Sequence, residues 1–190
     1  PVAGASLEAS AAELAALFAD LARAHGELVL RVSVPVLDTP DARSVDAFHQ
    51  YIADALSRSR GTLKALAITP DLPATAVLSD GQITAYRAYY MDAYQAARQH
   101  DKDVQLLGTG DALLTLKLLL SPSPTHTDLR AYIDVLAVSD TSLQLTLARQ
   151  LAADTHTPIW VLPPRHAGPL AALAFPAVGL AEGAAVVTIP

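Results

Sequence analysis

Four aspartates stand where an apolar run gives way to a polar loop: Asp38 after 28–36, Asp71 after 63–68, Asp111 after 104–107 and Asp140 after 133–138. Carboxylates gathered at one rim can exchange protons in acid–base catalysis, or hold a hard cation through oxygen ligands. The same residue type at a strand-to-helix turn can instead cap the helix, accepting orphan backbone N–H groups. Asp111 before Ala-Leu-Leu and Asp140 before Thr-Ser-Leu fit that capping role. Asp38 and Asp71 sit beside prolines in longer loops and are the stronger candidates for catalysis, with Asp140 as a further candidate base. A fifth apolar run, 159–162, leads into Pro163-Pro164-Arg165-His166, so Arg165 and His166 join Asp111 as candidate ligand contacts.

Other residue patterns point less firmly to chemistry. The chain has 6 histidines and no H-E-x-x-H spacing, so no metal site is expected. His25, His49 and His100 fall on or at the ends of helical stretches and read as surface or cap residues, while His126 and His156 lie in polar loops. Gly108-Thr109-Gly110 resembles part of a phosphate-cradling turn, but it lacks a third glycine and a P-loop lysine. A tight turn between strand and helix accounts for it without a ligand. Tyr86, Tyr89, Tyr90 and Tyr94 crowd one helix, where packing is a simpler reading than sugar stacking.

Composition narrows the field. The chain has 190 residues, 52% of them hydrophobic and 17% charged, enough for one sizeable core and too apolar for disorder. A net charge of -6 with no basic run argues against nucleic acid and anionic membrane surfaces as partners. Zero cysteines exclude disulfides, thiolate nucleophiles and Cys-based zinc sites. Mean hydropathy is +0.31, yet no membrane span is expected, because Pro176, Gly179, Glu182 and Gly183 interrupt the longest apolar stretch, 170–189. No signal peptide is visible, and since the chain starts at Pro1, any targeting segment is expected to lie upstream or to have been removed.

The elements that must position the aspartates alternate in type. Ser10-Ala-Ala-Glu13 opens a helix with Leu14, Leu17 and Leu21 at helical spacing, and 28–36 follows as a buried strand. The stripe Val45, Phe48, Ile52, Leu56 predicts a second helix closed by Gly61, and 63–68 a second strand. Helices over 82–100, 112–120, 142–153 and 170–180 precede or follow strands over 104–107, 133–138, 159–162 and 185–189. Strands alternating with helices predict an α/β fold in one domain, 1–190, with right-handed crossovers and a parallel sheet. Six strand–helix units use about 32 residues each, and two more would bring the total to about 250, the usual size of an eight-fold barrel. The sheet is thus either most of a TIM-type (β/α)8 barrel or an open doubly wound sheet.

A family resemblance adds to this reading. Lys64-Ala-Leu-Ala-Ile-Thr-Pro-Asp71-Leu-Pro73 resembles the pattern K-Y-W-E-I-W-N-E-P-N of clan-A glycoside hydrolases. Residues 81–108 look like their fourth helix and fifth strand, Asp134-Val-Leu-Ala-Val-Ser139 resembles D-V-V-S-V-H, and Pro158-Ile-Trp-Val-Leu-Pro163 resembles P-I-W-V-T-E. The likeness covers about residues 45–164, is nearest to the β-xylosidase and iduronidase-like barrels, and would make the strands here the third to the eighth. It implies an exported location and carbohydrate as the ligand class. The family's chemistry uses an acid/base carboxylate after the fourth strand and a nucleophile after the seventh. Here the first position holds the shorter Asp71, with Pro70 where the family has Asn, and the second is Pro163, which has no nucleophilic atom.

Three functions follow as expectations. The leading one is a catalytically degenerate glycoside hydrolase-like barrel that binds carbohydrate or serves as a scaffold. An active glycosidase of altered mechanism would use Asp71 as general acid, with Asp38 or Asp140 activating a water. A structural or assembly domain would have its missing strands supplied by another segment or chain. No cofactor is expected in any of them.

Overall fold

The computed structural model describes residues 28–36, 38, 42–59, 61–72, 75–139, 142–153 and 157–162, with the single helical positions 16, 19 and 23. A run with valine at three of its seven positions forms strand β1 (Leu28–Val34), and Pro35, which has no N–H for a ladder, ends it. The strands β2 (Leu63–Pro70), β3 (Gln105–Leu107), β4 (Leu136–Ser139) and β5 (Ile159–Leu162) follow. Every pairing between these strands is parallel: β1 runs beside β2 from Leu28↔Leu63 to Val34↔Pro70, β2 beside β3 from Ala65↔Gln105 to Ala67↔Leu107, and β4 beside β5 from Leu136↔Ile159 to Ser139↔Leu162. One bridge, Leu107↔Val135, links the two groups, supported by a 3.0 Å bond from Gly108 N–H to the Val135 carbonyl. Spatial order follows chain order, with no reversal among the described strands.

The helices α1 (Ala42–Ser59), α2 (Asp80–His100), α3 (Ala112–Thr115) and α4 (Ser142–Ala152) lie between the strands, and α3 runs directly into a π turn over Leu116–Leu120. Side chains alternate across each strand, and the two faces bury different residues. One face, with Leu30, Val34, Leu66, Ile68, Leu106 and Leu136, packs under α1 and α2 and the π turn. Val138 on that face meets Ala148 of α4. The other face gathers Val29, Ala65, Ala67, Leu107, Val135 and Ala137, with the Trp160 side chain packed against them. Three of those residues are alanine.

Helix α2, of 21 residues, is the longest among the described residues. It opens with a capping box: Ser79 Oγ accepts the Gln82 N–H at 3.1 Å, and Gln82 Oε1 accepts the Ser79 N–H at 3.1 Å. The crowded tyrosines are packing residues. Tyr86 donates its hydroxyl to the Ile68 carbonyl of β2 at 2.6 Å, Tyr90 donates to the Tyr132 carbonyl at 3.2 Å, and Tyr89 sits edge-on to Phe48 of α1 at 5.1 Å. Arg87 is buried and donates to the carbonyls of Leu118 (2.9 Å), Leu119 (3.2 Å), Ser121 (3.3 Å) and Thr127. These carbonyls include ones that the end of the π turn leaves unpaired, so one guanidinium closes that helix end. Burial lowers the Arg87 pKa and nearby Asp128 raises it, with a net lowering that still leaves an arginine charged.

Several expected boundaries shift for local reasons. Helix α2 begins at Asp80 rather than at residue 82, because Ser79 supplies the cap. Strand β2 extends to Pro70, which pairs with Val34 at the end of the β1–β2 ladder. The apolar run places the fourth strand from residue 133, but a 3-10 turn occupies Arg130–Tyr132 and the ladder starts at Leu136. The ladder with β5 begins at Leu136↔Ile159, and before it the Asp134 side chain faces β3, its Oδ2 accepting the Leu106 N–H at 2.7 Å and pairing with Arg98. The strand expected over 185–189 and the helix over 170–180 lie outside the described residues, as does most of the first helix. The structure is therefore an α/β fold with five parallel strands among the described residues, and these do not make a closed eight-stranded barrel. Among the described residues no helix is long and apolar enough to cross a membrane.

Complete burial pushes the Tyr90 hydroxyl well above its ordinary pKa, with the Tyr86, Asp134 and Tyr94 charges adding to desolvation and Arg98 opposing them. A phenol that stays neutral in the fold but ionises in the unfolded chain favours unfolding as pH rises past its unfolded value, about 10. Urea unfolding should therefore show stability lost above about pH 10, and Tyr90→Phe should flatten that loss while costing about 1 kcal/mol at pH 8.

Candidate functional site

In a parallel βα arrangement the loops that follow the strands meet at the carboxyl edge of the sheet, where ligands bind in this fold class. The register Val34↔Pro70 places the ends of β1 and β2 side by side, and Asp71 N–H donates to the Val34 carbonyl at 3.0 Å. Asp38 and Asp71 thus follow adjacent strand ends, as the sequence leads one to expect.

Their side chains do different work. Asp38 Oδ1 accepts a hydrogen bond from Ser79 Oγ, the hydroxyl that caps α2. A carboxylate at this helix N-terminus is favoured by the exposed N–H groups of the first turn. The helix start also presses on the Asp38 backbone: a Cβ at Gly81 would lie 2.6 Å from the Asp38 carbonyl oxygen. Asp38 therefore ties the loop after β1 to the start of α2. Asp71 is exposed, and its carboxylate makes no hydrogen bond or ion pair among the described residues.

The turn after β3 closes on its own side chains. Gly110 adopts φ 83, a conformation that favours glycine. Thr109 N–H donates to Thr115 Oγ1 at 3.1 Å, Asp111 N–H donates to Thr109 Oγ1 at 3.2 Å, and Thr109 Oγ1 donates to the Asp111 carbonyl at 2.7 Å. The Gly108, Thr109 and Asp111 amides are thus bonded within the fold, as in a tight turn between strand and helix. Asp111 is the N-cap of α3, with Oδ1 accepting the Leu114 N–H at 3.0 Å. Its Oδ2 accepts from Gln144 Nε2 at 2.8 Å, while Gln144 Oε1 accepts the Ala112 N–H at 2.6 Å. That reciprocal pair locks α3 to α4. Asp111, a candidate ligand contact, uses both carboxylate oxygens inside the fold.

Asp140, Arg165 and His166, together with Pro163, lie outside the described residues. At the opposite edge, Arg98 joins Asp134 and stacks over Tyr94 at 4.7 Å, so the polar cluster there fastens α2 to the amino ends of β3 and β4. Desolvation pulls the Arg98 pKa down, but bonds to Tyr94 and Asp134 outweigh it and raise the value. His49, read from sequence as a surface residue, bonds Asp92 at 2.8 Å and links α1 to α2.

Sequence reasoning missed Ser79 and Gln82, although Ser-x-x-Gln before a helical stretch is a capping signature. It also missed Gln144 and Arg87, whose roles depend on tertiary neighbours and leave no local pattern.

Two stability tests follow. Asp111→Ala and Gln144→Ala should each cost about 1 kcal/mol, and a double-mutant cycle should give a coupling of about 0.5–1.5 kcal/mol. Gly81→Ala should cost about 1–3 kcal/mol by forcing α2 away from Asp38, read from chemical denaturation midpoints.

Comparison with known proteins returns no match: no family model, no curated protein and no solved structure. Function must therefore be read from the rim itself.

Proposed function

We propose that this chain is the framework of a clan-A glycoside hydrolase-like barrel that no longer performs the family's chemistry and acts as a carbohydrate-binding or scaffold domain. The observation that carries this reading is what the described rim carboxylates do. Asp38 accepts from the Ser79 hydroxyl that caps α2, and Asp111 caps α3, each held by groups of the fold. That leaves Asp71 as the one described member of the expected rim carboxylates without a partner. A glycosidase needs two carboxyl groups across the scissile bond, about 5–5.5 Å apart when it retains configuration and about 6.5–9.5 Å when it inverts.

The arrangement of the strands supports the barrel side of the proposal. A doubly wound sheet reverses its strand order at a switch point and covers both faces with helices. Here spatial order follows chain order, and α1, α2 and α4 pack on the same face. In the proposed correspondence β1 to β5 are the third to seventh barrel strands. Asp71 then follows the fourth and Pro163 the seventh, where the family's two glutamates would stand.

A second reading, an active hydrolase with Asp71 as general acid, is favoured by one observation: its carboxylate is exposed and uncommitted among the described residues. One experiment separates the two. The folded protein is incubated with a broad polysaccharide panel, the soluble fraction is analysed by mass spectrometry, and protein retained on each insoluble polysaccharide is measured. The proposal predicts retention on at least one glycan and no released fragments, with neither result altered by Asp71→Asn. Defined fragments that disappear in Asp71→Asn would replace it with the hydrolase.

A further inference from the structure

We draw no further inference here: the strongest candidate, the buried ring of His126 in the loop beside the start of α2, whose Nε2 lies 3.5 Å from Asp80 Oδ1 with no hydrogen-bond partner, has no third His, Asp or Glu beside it among the described residues to complete a metal site, and the positive end of the helix opposes a cation there.

Discussion

The packing of α2 against the sheet is the constraint on which the other described elements depend. Tyr86, Tyr90, Ala93 and Ala97 are fully buried along this helix. Small residues at two of those positions lie in the core shared with the sheet, and the tyrosines pack beside them while finding carbonyl partners. The same helix meets α1 through Tyr89 and Asp92, the π turn through Arg87, the 3-10 turn through Tyr90, and the amino ends of β3 and β4 through Arg98. Apolar burial supplies the bulk of the attraction, and the polar contacts select one alignment of helix and strand.

That alignment decides what the carboxyl edge can do. Once α2 is seated, its cap lies next to the chain leaving β1, and Asp38 is drawn to Ser79. The short α3 has few backbone bonds of its own, so Asp111 and Gln144 hold its start. Catalytic carboxylates need oxygens directed at a substrate, whereas these are directed at backbone amides and capping side chains.

Much of the fold is legible in the chain. The parallel α/β class follows from apolar runs alternating with 3.6-residue periodicity, and β1, β2, β3 and β5 fall close to where those runs lie. Asp111 as a cap follows from its place at a strand-to-helix turn. The start of α2 is readable in Ser79 and Gln82, a capping signature that places the first helical residue at Asp80. Other features have no local signal. Nothing near Asp134 announces that its side chain will take the Leu106 amide, because the partner is 28 positions away. The π turn is equally hidden, since Leu116 to Leu120 reads as ordinary helix until Arg87 arrives from α2 to satisfy its carbonyls. Asp38 looks like a free loop carboxylate because its partner, Ser79, is distant in sequence and adjacent only after α2 docks.

Native-state hydrogen exchange read residue by residue is the most direct test of α2 as the element that organises the sheet and its rim. Its buried stretch, 85–97, should exchange only by global unfolding, with the same free energy as the amides of β2 at 65–68 and the same dependence on denaturant. Exchange of α2 through a separate, lower-energy opening, with β2 and β3 still protected, would show that the sheet stands without it. That result would contradict the organising role of α2.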